Sequence, residues 1–415
     1  MVEASLVKCF CKRNQPGGTT MQRFSSIFSQ ILQLFSRSEF ESAVKKHQTE
    51  YASKGFSSWG HFIALLFCQL GRAYSLREIC DGLACCEGKL KHLGVSEPPK
   101  RSTLSYANKH RPWELFQTIF GHLYSKCQGI ATNSNFGRKK FKFKNKLYSL
   151  DSSTITLTLS LYNWARYRRA KGAVKLHLLL DHDGYLPSYA IISDGKKSDI
   201  AVAKILKFEK GAVLVIDRGY TEYDWYALLS LQGVFFVSRL KDNAAFTEVT
   251  EKARPAAGDK ILSDRVITFD NQKPDENGKK PEFRMIKAWI DGEQGIFTFL
   301  TNNMEFDAVT IAEIYKDRWA IESFFKAIKQ NLKIKTFLGT SENAVMTQIW
   351  TALISMLILR YLQLTSKIKW SLSNLVALLR MQLFVYRELI AWLNNPKEGP
   401  PQLAEIPQLS FKFSY

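Results

Sequence analysis

Apolar side chains recur at helical spacing through the first third of the chain. Phe24, Ile27, Phe28, Ile31, Leu32, Leu34 and Phe35 predict one helix, and Trp59 to Leu70 a second. Ser75-Leu76-Arg77-Glu78 is a Ser-x-x-Glu capping box that opens a third, ending near Gly94. Pro98-Pro99 break the chain. Ser102 then reads as the cap of a helix running through Tyr106 and Trp113 towards Cys127. Residues 21–130 are therefore expected to form an all-helical domain with a helix-turn-helix-like unit. A disordered extension, residues 1–20, precedes it.

The period then shortens to two. Lys140-Phe141-Lys142-Phe143-Lys144 alternates as a strand would. Leu147–Ile155, Val174–Leu180 and Tyr185–Ile192 predict three more strands, with Asp181-His182-Asp183-Gly184 as a turn. His177 reads as a core histidine, and Asp181, Asp183 and Asp194 as turn residues. A helix over Ser198–Phe208, a buried strand Ala212–Ile216, a helix Glu222–Leu231 and a buried strand Val234–Val237 complete residues 131–240. That order suggests an α/β fold, a mixed sheet covered by helices. Residues 241–305 read as a β-rich insertion with strands Arg265–Phe269, Arg284–Ile290 and Gly295–Leu300. The pattern is helical again over 306–395 and ends in a Pro-rich tail, 396–415. Ala344–Leu364 is long enough to cross a membrane but carries Gln348, Thr351 and Arg360, which suits a buried core helix.

Charge sharpens the picture. Lys and Arg number 58 against 38 Asp and Glu, a net +20. Such an excess calls for a polyanionic partner. Residues 241–300 hold ten cations and eleven anions, so the excess sits elsewhere. Lys100, Arg101, Lys109, His110 and Arg111 cluster near the Pro98-Pro99 break, either as a nucleic-acid contact or as a solvated face. Arg166, Arg168, Arg169, Lys171 and Lys175 form a second cluster, read in the same two ways. Seven cysteines, none after Cys127 and none at zinc spacing, read as reduced cytosolic thiols. The first twenty residues lack the pattern of a secretory signal, so a cytoplasmic protein is expected.

Three carboxylates stand out. Asp151 follows a strand-like run and Asp217 ends one, where desolvation costs several kcal/mol unless the group is paired or binds a cation. Helix capping is the alternative for both. In the run Tyr315 to Lys329, Tyr315, Arg318, Glu322 and Lys329 fall within an arc of roughly 60° at about 100° per residue, with Lys326 on the same stripe. One reading is a metal ligand flanked by phosphate contacts. The other is an ion-paired surface helix, since Arg318 and Glu322 are spaced i, i+4.

The spacing Tyr-x2-Arg-x3-Glu-x6-Lys resembles the YREK signature of DDE transposases of the insertion-sequence-four family, with Asp151 and Asp217 matching its two aspartates. The resemblance spans about residues 21–390 and includes Lys54–Trp59, Ser75–Ile79 and Arg101–Leu104 in the helical region. It implies a ribonuclease H-like catalytic core with a β-rich insertion, plus an all-helical N-terminal DNA-binding domain. Asp151, Asp217 and Glu322 would hold Mg²⁺, with Mn²⁺ substituting. The implied activity is cut-and-paste transposition: metal-dependent phosphodiester hydrolysis and strand transfer at terminal inverted repeats, through a hairpin intermediate. Tyr315, Arg318 and Lys329 would grip phosphates. Phe297, or else Trp289, would stack a flipped base. Double-stranded DNA, a homodimeric synaptic complex and nucleoid association are the implied partners and setting. A non-cutting repressor of the same descent is the alternative, and Met21 competes with Met1 as the start.

Overall fold

The computed structural model describes residues 25–398 of the 415, other than 52, 54, 87, 134–140, 159, 169–170, 253–259, 275, 277 and 291–294. The extension 1–20, most of the tail, Lys140 and Arg169 lie outside the described residues, as do the side chains of Arg166, Arg168 and Lys171.

Helices α1 (Ile27–Leu32), α2 (Arg37–Lys46), α3 (Ser58–Gly71) and α4 (Leu76–Ala84) each start after a serine whose hydroxyl accepts a backbone N–H three residues on. At Ser75 the capping box closes through Tyr74, whose N–H donates to Glu78 Oε2 at 2.8 Å. Two expectations are corrected. α4 stops at Ala84, well before Gly94, and the chain turns at Gly88, whose φ of 73° suits glycine. The helix expected from Ser102 to Cys127 is two helices, α5 (Arg101–His110) and α6 (Glu114–Asn133). Pro112 disfavours helical backbone at the preceding residue, and Arg111 is extended (φ −76°, ψ 128°).

Among the described residues the sheet has ten strands: β1 (Leu147–Leu157), β2 (Arg166–Arg168), β3 (Lys171–Asp181), β4 (Leu186–Asp194), β5 (Val213–Ile216), β6 (Phe235–Arg239), β7 (Phe246–Glu251), β8 (Ile261–Phe269), β9 (Phe283–Ile290) and β10 (Gly295–Thr301). Its order is β2-β3-β1-β5-β6-β10-β9-β8-β7, with β4 also on β3. β1, β5 and β6 run parallel, and β3 runs antiparallel to β1. This is the ribonuclease H-like arrangement, with α7 (Asp199–Ala203) and α8 (Tyr223–Leu231) in the connections. The β-rich insertion continues the same sheet, because β10 pairs with β6. β7 was not legible in the sequence: it is an edge strand with mostly exposed residues and little apolar alternation. The expected strand at 140–144 is absent among its described residues. Phe143 instead stacks on Phe141 and on Phe306, at 5.2 and 4.7 Å. The helix expected to Phe208 ends at Ala203, and Leu206 and Phe208 fold onto the core from a turn.

After the insertion come α9 (Ala308–Asp317), α10 (Trp319–Asn331), α11 (Glu342–Thr365), α12 (Leu372–Gln382) and α13 (Leu389–Asn394). α11 is apolar all round because it runs through the core, packed on α3, α5 and α6. It has the length and composition of a membrane span, but 89% of its apolar window is buried inside the protein. α1 also meets the segment between α12 and α13: Ile27 N donates to Val385 O at 3.0 Å, and Gln30 Nε2 to Arg387 O at 2.6 Å. The helices after the insertion therefore complete the core of the N-terminal helical domain.

Candidate active site

Register brings the two aspartates together. Leu150 of β1 pairs with Ile216 of β5, so the next residue on each parallel strand is an aspartate. β5 ends there, but β1 continues to Leu157 along β3, so Asp151 lies mid-strand rather than at a strand end. Asp151 Oδ1 accepts the Ser152 N–H at 2.7 Å. Burial, with Asp217 and Glu322 nearby, pushes its carboxyl up to about 6, against the pull of the Ser152 N–H and Arg318. Asp217 also serves as a cap: its Oδ1 accepts the Gly219 N–H at 2.6 Å. A Cβ at 219 would stand 2.8 Å from that oxygen, so a larger residue there would push the Asp217 carboxylate aside.

The third carboxylate arrives on α10. The single helix expected over Tyr315–Lys329 is interrupted at Arg318, where bonds from Arg318 N to Tyr315 O and from Ile321 N to Arg318 O tighten the turn. Arg318 is buried. Its Nη2 donates to Glu322 Oε1 at 2.6 Å, its Nη1 lies 3.7 Å from Asp151 Oδ2, and its guanidinium sits 5.7 Å from the Tyr315 ring centre. The i, i+4 pair thus exists, and it reaches Asp151 rather than standing alone on a surface. Lys329 Nζ donates to Thr154 O of β1 at 3.3 Å. Asp151 and Glu322 open onto a groove of about 410 Å³ whose walls also carry Lys326, Lys329 and Lys335. A groove with carboxylates at its floor and lysines along its walls suits a phosphodiester.

The donor chemistry fits a hard divalent cation, since three carboxylates supply only oxygen. The raised pKa of Asp151 comes chiefly from burial, with Asp217 and Glu322 adding to it. In this arrangement Arg318 holds Glu322, and among the described residues no three His, Cys, Asp or Glu side chains already form a ligating group.

The aromatic candidates separate. Phe297 pairs with Ala288 and Trp289 with Ile296, so Phe297 and Trp289 occupy opposite faces of the sheet. Phe297 lies near Phe299, which meets Tyr315 at 5.1 Å, on the face covered by α9. Arg239 lies over the Phe297 ring at 4.2 Å. Sequence reasoning missed Arg239. Continuing the register Val215↔Val237 by two residues sets it beside Asp217, a placement that only the strand order reveals.

Other expected contacts divide. Arg101 and Lys109 are exposed on α5. Arg111 is corrected: it is buried, with Nη1 donating to Ser57 O at 2.8 Å and Nη2 to Ser53 Oγ at 3.2 Å, so its guanidinium holds a loop together. Lys175 pairs with Asp199 at 3.3 Å. Asp181, read as a turn residue, ends β3 fully buried and paired with Lys146 at 3.2 Å. His177 is a buried core histidine whose Nε2 lies 2.9 Å from Ser193 Oγ.

A ribonuclease H-like sheet with aspartates on two neighbouring parallel strands and a glutamate on a following helix is the frame of a DDE nuclease. The chain belongs to the DDE transposase family, DNA-cleaving enzymes that generally use divalent metal ions: the family profile described as "Transposase DDE domain" matches residues 142–358, more than half of the chain. Residues 23–96 match a domain of unknown function, DUF4372. A protein of Sinorhizobium fredii named as transposase y4zB is 30% identical over 327 residues, covering 78% of this chain and 88% of that one. A Geobacillus stearothermophilus protein named as a transposase for insertion sequence element IS5377 is 29% identical, over 63% of this chain and 67% of that one. A Synechocystis protein named for element IS4SA is 24% identical, over 63% and 71%.

Proposed function

We propose that this chain moves an insertion sequence by cut-and-paste, with Asp151, Asp217 and Glu322 as its catalytic carboxylates. The observation that carries the reading is the pairing Leu150↔Ile216, which makes the two aspartates neighbours, with the Arg318–Glu322 pair 3.7 Å from Asp151. Three oxygen-donor carboxylates suit Mg²⁺, with Mn²⁺ as a substitute. When bound, such ions supply charge stabilisation at the attacking and leaving oxygens.

The chain's own residues do the rest. Lys326 and Lys329 line the groove and hold the phosphate backbone of a terminal inverted repeat. Arg318 and Tyr315 hold the phosphate at the scissile bond. Arg101 and Lys109 extend the contact along the element end. Phe297, with Arg239 over it, offers a stacking platform for a base displaced in a hairpin intermediate. Arg166, Arg168, Arg169 and Lys171 remain backbone contacts by sequence alone. The active species is a homodimer on paired ends, working at the nucleoid in the cytoplasm.

The test is Glu322→Gln, which keeps size and an acceptor but removes the charge. With Mg²⁺ or Mn²⁺ on a duplex carrying the element end, cleavage is expected to vanish while gel-shift binding persists. Cleavage at the wild-type rate would remove Glu322 from the catalytic set and leave it a purely ion-pairing role.

A further inference from the structure

Behind the carboxylates runs a buried hydrogen-bond chain. Ser149 stands two residues before Asp151 on β1, on the same face of the strand. Its Oγ is 2.7 Å from Nε2 of His182, and Nδ1 of that ring is 2.9 Å from Oδ2 of Asp317. A carboxylate only accepts, so Nδ1 donates to Asp317. In the neutral ring Nε2 then accepts from the Ser149 hydroxyl. The order hydroxyl, imidazole, carboxylate is that of a nucleophilic triad. Burial excludes that use: Ser149 is 0% exposed on a central strand, and His182 is 8% exposed.

Asp317 is in an unfavourable place. It ends α9, where a carboxylate faces the negative end of the helix dipole, and the helix is interrupted at the next residue. His182 offsets that cost. Tyr185, with a left-handed φ of 52°, lies 5.5 Å from the His182 ring, and its hydroxyl interacts with Asp317.

We propose that Ser149, His182 and Asp317 form a positioning relay that fixes the break between α9 and α10 against β1, and so sets Arg318 between Asp151 and Glu322. The proposal rests on the function proposed above. One end of the relay is two residues from Asp151, and the other is the immediate neighbour of Arg318. Arg318 in turn reaches Asp151 at 3.7 Å and Glu322 at 2.6 Å. Moving the break by about 1 Å shifts the guanidinium against the scissile phosphate, a misplacement that costs on the order of 10²-fold in rate. No member of the relay touches a reacting atom.

The experiment is a mutant cycle with Arg318. His182→Phe keeps a planar ring and removes both hydrogen bonds, and Ser149→Ala removes one with little change in volume. His182→Phe is expected to slow metal-dependent cleavage of element-end DNA by about 10–100-fold without changing affinity for that DNA. Because the relay acts through Arg318, adding His182→Phe to Arg318→Lys should cause little further loss. A merely structural role predicts losses that multiply, and that result overturns the relay, as does wild-type cleavage by His182→Phe. If His182→Phe does not fold, Ser149→Ala in the same cycle is judged by the same criterion. A wild-type chain that fails to cut element-end DNA with Mg²⁺ or Mn²⁺ would sink the functional reading itself. Cleavage by the wild-type chain, with normal cleavage by the relay variants, would sink the relay alone.

Discussion

Arg284 and Asp264 form an ion pair inside the insertion, and breaking it should loosen the approach to the helix that carries Glu322. Arg284 Nε donates to Asp264 Oδ1 at 2.8 Å and Nη2 to Oδ2 at 2.6 Å, with 3% and 5% of the two residues exposed. Nη1 also donates to the carbonyls of Asn303 and Phe306, in the loop that leads into α9 and Tyr315. Arg284→Met removes one partner of a buried pair and leaves a desolvated carboxylate. That class of change costs about 3–5 kcal/mol. The double variant Arg284→Met/Asp264→Leu removes the stranded charge as well. Only the two loop carbonyls then lose a donor, so it should recover most of the loss and sit within about 1–3 kcal/mol of wild type. Urea unfolding of the full chain, followed by tryptophan fluorescence, measures all three proteins. A single variant that loses less than about 1 kcal/mol, or a double variant less stable than the single, refutes the reasoning.

His61 predicts acid sensitivity. It is fully buried, and burial pushes its imidazole down to about 3, while Nε2 lies 2.7 Å from Asn108 Oδ1. The folded value lies below the unfolded one, so the unfolded chain takes up the proton first. The stability is fully present above about pH 6.5 and is lost as pH falls towards 3, about 2 kcal/mol being gone by pH 5. Thermal melts at pH 7 and 5 should show a smaller fall for His61→Phe than for wild type; equal falls refute it. Affinity for end DNA should drop by ~10³–10⁵ between 50 and 200 mM salt if 6–10 phosphates are neutralised, and a flat response refutes the electrostatic reading. A fragment ending at Asn133 should fail to melt cooperatively by circular dichroism, because α11 is missing from between α3, α5 and α6. A cooperative melt would show that the helical domain closes without it.

Local patterns carried much of this protein. Period 3.6 marked α3, period 2 and apolar runs marked β1, β3 and β5, and the spacing of Tyr315, Arg318, Glu322 and Lys329 marked the segment that carries Glu322, because each depends only on near neighbours in the chain. What depends on distant neighbours was decided by tertiary structure. Asp151 meets Asp217 only through the β1–β5 register, and Arg239 joins them only because β6 lies next in the sheet. Arg111 looked like a surface cation beside a proline, yet the carbonyls of the loop before α3 took its guanidinium. α11 could not be assigned to the helical domain from its sequence, since an apolar helix matches any core that lacks one. The link from Ser149 through His182 to Asp317 joins residues 33 and 135 positions apart, so no periodicity could carry it. Strand order and helix packing bring them within hydrogen-bond reach, and only the folded chain sets those distances.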